Sequence, residues 1–419
     1  MTSKIIVNNI ESDSGVSSVT FTSDIELGTK NLKGRNLEST GIVTAVSFTG
    51  SGANLTNLPA ANITGTLPAL DGSALTGVGA SFGNSSVNTS GIITATSFVP
   101  TVGQLSHRNL IVNGAMNVAQ RGTSSTSSGF YTVDRFQVNF TGTNEAPEQR
   151  QATLTSAPGP YREGHRKAYK ITNGNQTGGG GAAKFIRFKT TIEAQDIANS
   201  GWDYVSSSSF VTLSFWVKAS VAQTYYGRLQ TEDGTARNYP FSFALSADTW
   251  TKVTKTIPGN TSPTLQFDNN NGAGLILEIV PYYGTDYTGS MSLNTWATYS
   301  DRTPDNTATW YETDDATFFI TGVQLEVGPV ATPFEHRSFG EELTRCQRYF
   351  VKMSGGAFIF PQNNVYTSFS FPQEMRDAPT LTFLSGAGTK SGIRVEKDGF
   401  RAANSLGPQD HAFTAESEI

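Results

Sequence analysis

A chain of 419 residues has room for two to four domains, and its 37% hydrophobic and 16% charged content lie below the usual globular values. A net charge of −5 without a long Lys/Arg run disfavours nucleic acid or an anionic membrane as partner, and a single Cys, Cys346, excludes an internal disulfide framework. No segment reaches the roughly 20 apolar residues of a membrane span, and MTSKIIVNNIESDSG at the N-terminus lacks the apolar core of an export signal, so the expectation is synthesis in a cytoplasm without export or membrane insertion.

Residues 1–38 hold short strand-like pieces, KIIVNNI, VTF and DIELG, and are expected to be an attachment segment; a frayed terminus is the bland alternative. Residues 39–48 then read STGIVTAVSF and residues 89–98 read TSGIITATSF, two copies of one phrase 50 residues apart. Fixed-period self-similarity marks a repeat architecture. Within each phrase β-branched and aromatic residues alternate with smaller ones, as in a short strand. Between the phrases single apolar residues such as Leu55, Leu58, Ile63, Leu67 and Leu70 are spaced by Asn, Thr, Gly, Ser and Pro. One chain cannot build a core from these, because residues 1–105 hold no Trp, no Tyr and four Phe. Several chains wound together can pool them along an axis, and closed cyclic symmetry is the usual arrangement. Residues 39–106 are therefore expected to form a slender oligomeric stalk, with a disordered linker as the other reading.

The composition changes near residue 107: all 14 Tyr and all five Trp lie beyond residue 130. Residues 107–337 give strand candidates at 109–118, 130–140, 168–173, 184–192, 210–220, 225–233, 241–245, 249–257, 274–283, 291–300 and 316–327, separated by turn residues that include four consecutive glycines, Gly178 to Gly181. In FVTLSFWVKAS, Val211, Leu213, Phe215 and Val217 share one face. Regular short strands and few helix signals predict a jelly-roll β-sandwich. Residues 338–350 break the pattern: Ser338 and Glu341 make a capping box, and Leu343, Cys346 and Phe350 fall on one helical face, with Cys346 expected to be packed rather than reactive. Residues 351–419 return to strands, with a turn at Lys397-Asp398-Gly399, and form a small terminal β domain whose size is marginal without association.

The sequence holds no P-loop, GxGxxG, HExxH or CxxC, and its four His are scattered, so no catalytic set and no bound metal are expected. Glu312, Asp314 and Asp315 carry oxygens that a structural Ca2+ would take, against a solvated loop. Aromatic crowding points to a ligand instead. Trp202, Tyr225, Tyr226, Tyr282, Tyr283, Tyr287, Trp296 and Tyr299 lie among Asp, Asn, Thr and Ser, the mixture of apolar walls and placed polar groups that a saccharide site uses; core packing is the other reading.

The phrases STGIVTAVSF, TSGIITATSF, GSGANLTNLP and LPALDGSALTG resemble the stem repeats of phage tail fibres, especially those of cyanobacterial viruses. HRNLIVNGAMNVAQRG (107–122) with YTVDRF (131–136) is similar to the opening of the jelly-roll module of such fibres, and GVQLEVGPVATPFEHRSFGEELTRCQRYF (322–350) to its end and following linker. FPQEMRDAPTLTF (371–383) is similar to their terminal domain. The resemblance implies a homotrimer, docked through its N-terminus to a phage tail or baseplate protein and assembled in the host cytoplasm, whose distal domains bind host-surface polysaccharide. It implies no catalytic residue. A purely structural fibre or collar component and a polysaccharide-depolymerising tailspike are the competing readings.

Overall fold

The computed structural model describes residues 106–155, 159–305 and 307–419, together with Thr40, Ile42 and Thr44. The chain falls into two units, Met1–Ile93 and Thr94–Ile419, and the architecture below belongs to the second. Apart from the three isolated residues, the expected attachment segment and stalk lie outside the described residues.

In chain order the sandwich strands are β1 (Ser124–Ser125), β2 (Gln137–Thr141), β3 (Glu148–Thr153), β4 (Lys167–Thr172), β5 (Phe185–Glu193), β6 (Phe210–Ala219), β7 (Gln223–Thr231), β8 (Arg237–Leu245), β9 (Thr251–Pro258), β10 (Ala273–Tyr283), β11 (Ala297–Thr298) and β12 (Thr317–Val327). They form two six-stranded sheets, β1-β3-β4-β12-β6-β9 and β11-β8-β7-β10-β5-β2, and the strand pairs are antiparallel. Neighbours distant in sequence, such as β4 with β12 and β5 with β10, give the crossovers of a jelly roll.

Alternation decides what lies between the sheets. Val211, Leu213, Phe215 and Val217 of β6 point inward and are fully buried. They face Tyr225 and Leu229 of β7, Phe241 and Phe243 of β8, and Leu275, Leu277 and Ile279 of β10 in one continuous core. Each such side chain contributes about 1.5–3 kcal/mol relative to an exposed position.

Three predicted strands are different. Residues 130–136 are turn, bend and irregular chain, so the 130–140 candidate is strand only from Gln137, in β2. Residues 109–118 form a turn, with Asn113 and Met116 at φ 61° and 60°. The Asn113 amide donates to the carbonyls of Val118 and Asp134, each at 2.9 Å, and its oxygen accepts from the Val118 N–H at 3.0 Å. A side-chain amide that serves backbone groups in this way replaces the ladder a strand would use. Residues 291–300 contribute only β11; the remainder is a loop that covers the second sheet.

The predicted helix spans Phe339–Gln347 (α1), and Ser338 Oγ accepts from the Glu341 N–H at 3.2 Å, as a capping box requires. It stops three residues earlier than expected, so Phe350 opens a strand rather than continuing the helical face. Cys346 is buried and its thiol is pushed well up by that burial. The terminal domain has strands β13 (Phe350–Phe360), β14 (Thr367–Ser370), β15 (Thr380–Phe383), β16 (Lys390–Glu396), β17 (Gly399–Asn404) and β18 (Gln409–Glu416), in two three-stranded sheets, β13-β18-β15 and β14-β17-β16. Glu396 pairs with Gly399, which places the predicted hairpin turn at Lys397-Asp398. Phe360, Phe371, Met375, Phe400 and Phe413 form its small core.

Buried charges join this domain to the sandwich. Arg135, 2% exposed, is ion-paired with Glu418, donates to the Thr191 carbonyl at 2.6 Å and lies 3.4 Å from the centre of the Tyr349 ring. Arg121 lies 3.7 Å over the Phe350 ring and pairs with Glu418 at 3.1 Å and Asp134 at 3.5 Å. Glu193, at the end of β5, accepts from Arg348 at 2.9 and 2.8 Å and from the Tyr349 hydroxyl at 2.6 Å. Removing one member of a buried pair strands the other, at about 3–5 kcal/mol. Arg135→Ala should therefore lower stability by about that amount and release residues 350–419 to proteolysis before the sandwich unfolds. Denaturant unfolding with timed proteolysis checks this; a variant that cleaves and melts like the parent would refute it.

His165 is a buried group of another kind. Neither ring nitrogen has a hydrogen-bond partner among the described residues. Gly322, at φ 63° in the bulge of β12, leaves room for it, since a Cβ there would lie 2.7 Å from Nε2. Burial, with His336 adding, pushes the imidazole down from 6.5 to about 4. The unfolded chain therefore takes up a proton that the fold refuses. Stability from this group is intact above pH 6.5 and is lost as pH falls toward 4, by up to about 3 kcal/mol. His165→Phe removes the titration. Its stability relative to the parent should grow across that window in chemical denaturation at stepped pH; a constant difference would contradict the assignment.

Candidate functional site

Residues that alternate with the inward set of β6 point to solvent: Trp216 and Lys218 stand on the outer face of the first sheet. Antiparallel register then builds rows across three strands. Phe319 of β12 lies between Lys170 of β4 and Lys218 of β6. In the next row Trp216 lies between Thr321 of β12 and Lys252 of β9. Trp250 immediately precedes β9, with its ring 6.0 Å from that of Phe319. Trp216, Trp250 and Phe319 are all half-buried, so each ring keeps an open surface.

The segment from Gly159 to Arg166 crosses this face. Gly159 sits at φ 92°, and a Cβ there would come within 2.9 Å of Trp250, so only glycine lets the chain lie so close to the ring. Glu163 accepts from Trp216 Nε1 at 2.9 Å and pairs with Lys252 at 2.9 Å, which anchors the segment. A groove of about 240 Å³ remains, walled by Tyr161, Trp250, Phe319 and Lys218 and edged by Thr153 and Thr155. A second hollow of about 520 Å³, bordered by Glu163, Lys252, Phe334 and His336, opens beside the same segment. Lys218 Nζ lies 4.7 Å from the Phe319 ring centre and 5.6 Å from that of Trp250; Lys170 Nζ lies 5.7 Å from Phe319. Flat apolar faces flanked by hydroxyls and ammonium groups can stack on a sugar ring and bond its substituents.

The aromatics singled out from the sequence are distributed differently. Trp202, Tyr225, Tyr282, Tyr283 and Trp296 are 5% exposed or less and act in packing. Trp202 Nε1 donates to the Ser209 carbonyl at 3.3 Å, Trp296 Nε1 to Pro258 at 2.7 Å and the Tyr225 hydroxyl to Val221 at 2.8 Å. Tyr282 stacks on Tyr311 at 4.4 Å, and its hydroxyl lies so close to Gly180 that a Cβ there would meet it at 2.7 Å. That is the physical use of one of the four consecutive glycines.

Tyr283, Tyr287 and Tyr299 come together over the second sheet with Glu278 at their centre. Glu278, 1% exposed, pairs with Arg228 at 2.6 Å and Arg187 at 2.7 Å and accepts from the Tyr283 hydroxyl at 2.6 Å. The carboxyl is held down to about 2: burial alone would raise it, and the two arginines outweigh that effect. Arg302, from the covering loop, donates to Tyr299 at 3.1 Å and lies 4.9 Å from the Tyr287 ring. Arg302 and the three tyrosine rings close over the Glu278 pairs, which makes this face a clasp for residues 284–303. Tyr226, on β7, keeps partial exposure, as do Tyr287 and Tyr299.

Of the acidic trio, Glu312 accepts from the Gly180 N–H at 2.9 Å. Asp314 and Asp315 are exposed, and among the described residues no group of three His, Cys, Asp or Glu is placed to hold a metal ion. A hollow of about 230 Å³ in the terminal domain mixes Arg394 and Arg401 with Glu396 and Asp398 and offers no comparable open ring pair.

No protein-family model matches the chain, and no curated protein matches it. Among solved structures it is similar to a family 11 carbohydrate-binding module from Clostridium thermocellum in complex with a β-1,3-1,4-mixed-linked tetrasaccharide, at 9% identity over 49% of this chain and 95% of that one, with a TM-score of 0.24. A structure described as CBM4 is 14% identical over 52% of this chain and 98% of that one, with a TM-score of 0.26. The xylan-binding domain from CBM 22 is 8% identical over 52% and 99%, with a TM-score of 0.26. Likenesses of this size carry no argument here, and the jelly-roll sandwich rests on the strand order and register described above.

Proposed function

We propose that the sandwich is a saccharide-binding module whose ligand lies in the groove of Tyr161, Trp250, Phe319 and Lys218, and that the whole chain is the receptor-binding fibre protein of a phage tail. The observation that carries the binding reading is the set of open rings on the outer face of the first sheet, held in place by register and by the Glu163 anchor. A groove of about 240 Å³ is smaller than the pockets that hold drug-sized ligands and has room for a short stretch of a saccharide. A homotrimer carried in several copies on one particle gains avidity without tight single sites. The fibre reading draws on the repeat phrases, on the resemblance of residues 107–122, 131–136, 322–350 and 371–383, and on a terminal domain that exposes Tyr366, Ile359, Leu384 and Ile393 for association.

The chain binds without turnover in this reading. Glycoside hydrolysis needs two carboxylates across the scissile bond. The groove lining has none, and the nearby Glu163 is engaged by Lys252 and Trp216. The exposed apolar side chains of the terminal domain serve a second reading equally well, a structural fibre or collar component that holds no ligand.

Glycan-array binding by the full-length protein, with oligomeric mass measured on the same sample, separates these readings. Trp250→Ala should weaken binding at least tenfold, in line with an aromatic anchor, while costing about 1–2 kcal/mol of stability because the ring is only half-buried. Trp202→Ala, a core change, should instead cost about 3–5 kcal/mol. A folded protein that binds no glycan supports the structural reading, and release of reducing ends from a bound polysaccharide supports the tailspike.

A further inference from the structure

We propose that the saccharide taken by this groove is acidic, with its anionic group seated between Lys170 and Lys218 beside Phe319. The inference rests on the saccharide-binding reading and adds the chemical class of the ligand.

Three observations carry it. First, register places the two lysines on either side of Phe319, so both ammonium groups converge on one ring rather than spreading into solvent. Second, neither lysine has an ion pair or hydrogen bond among the described residues, and the groove lining contains no carboxylate. Some other cations of the sandwich are matched, Arg187 and Arg228 by Glu278 and Lys252 by Glu163; what sets Lys170 and Lys218 apart is that both also lie against the same half-buried ring. Third, the chain as a whole carries −5, so a groove lined by Lys218, with Lys170 on the other side of Phe319, is a local inversion of the overall sign. Ammonium groups set against low-dielectric ring faces focus a positive potential into the groove and draw an anion there. A neutral sugar would use the rings and leave both charges unanswered; a carboxylate or sulfate on the sugar answers both.

The test uses the full-length protein and matched polysaccharides that differ only in charge: polygalacturonate oligosaccharides with their carboxyl-reduced counterparts, and chondroitin sulfate oligosaccharides with their desulfated counterparts. Affinity is measured by titration calorimetry at 50 and 200 mM salt. At least one acidic form should bind tenfold or more tighter than its neutral partner and weaken as salt rises. The arm that shows the difference distinguishes carboxylate from sulfate. Lys170→Gln with Lys218→Gln should remove most of that preference and its salt dependence. Trp250→Ala should weaken acidic and neutral forms alike. Equal affinity for charged and neutral forms overturns the inference and leaves saccharide binding standing. Acid-selective binding that survives both lysine substitutions also overturns it, because the anion is then seated elsewhere. A folded protein that binds neither form of either polysaccharide overturns the inference together with the reading on which it rests.

Discussion

Two arginines hold the described part of this protein together. Arg121 and Arg135 project from the turns before β2, lie over Phe350 and Tyr349, and reach the end of the chain at Glu418. A guanidinium is suited to such a place: it stays charged, stacks on a ring and donates in several directions at once. The terminal domain buries only a small core. Its attachment therefore depends on charged groups that are satisfied only in the assembled arrangement, which makes the junction specific as well as strong. Asp134 illustrates the constraint: burial raises its carboxyl to about 6 although Arg121 lies 3.5 Å away.

This junction also explains the long phrases of the chain. Asn109 donates to the Val323 carbonyl and accepts from the Leu325 N–H; Glu335 accepts from the Asn109 N–H; Arg337 donates to the Asn109 and Ile111 carbonyls. The segments 107–122 and 322–350 are therefore two halves of one polar seam, and none of these residues lines the aromatic groove. Their length and polarity serve folding. The groove draws on side chains that stand singly in their strands.

The two sheet faces put the same chemistry to opposite uses. Over the second sheet, rings and arginines surround Glu278 and are closed by a loop, so the buried carboxylate is fully engaged. Over the first sheet, rings and lysines remain open: Glu163 fixes a loop and Glu148 pairs with Arg150, and neither forms an ion pair with Lys170 or Lys218. Burial of a matched cluster stabilises; an unmatched one at the surface is available to a ligand.

Local patterns were legible in the sequence. Period-two alternation placed Val211, Leu213, Phe215 and Val217 on one face, the Ser338 and Glu341 pair marked the start of α1, and Lys397-Asp398 marked a hairpin. The same alternation already assigns Trp216 and Lys218 to the opposite face of β6, a signal weaker to the eye than aromatic crowding along the chain. Crowding misleads because a Tyr or Trp suits a core as well as a binding surface, and neighbours in sequence do not show whether both faces of a ring are covered. Tyr282 and Trp296 are enclosed by residues far away in the chain, whereas Trp250 and Phe319, 69 positions apart, meet only through the pairing of β6 with β9 and β12. By itself the sequence determined strands, turns, the helix cap and the change in composition near residue 107, since each depends on near neighbours. Only the tertiary structure decided which rings stay open and which lysines stay unmatched, because both depend on strand register between distant segments.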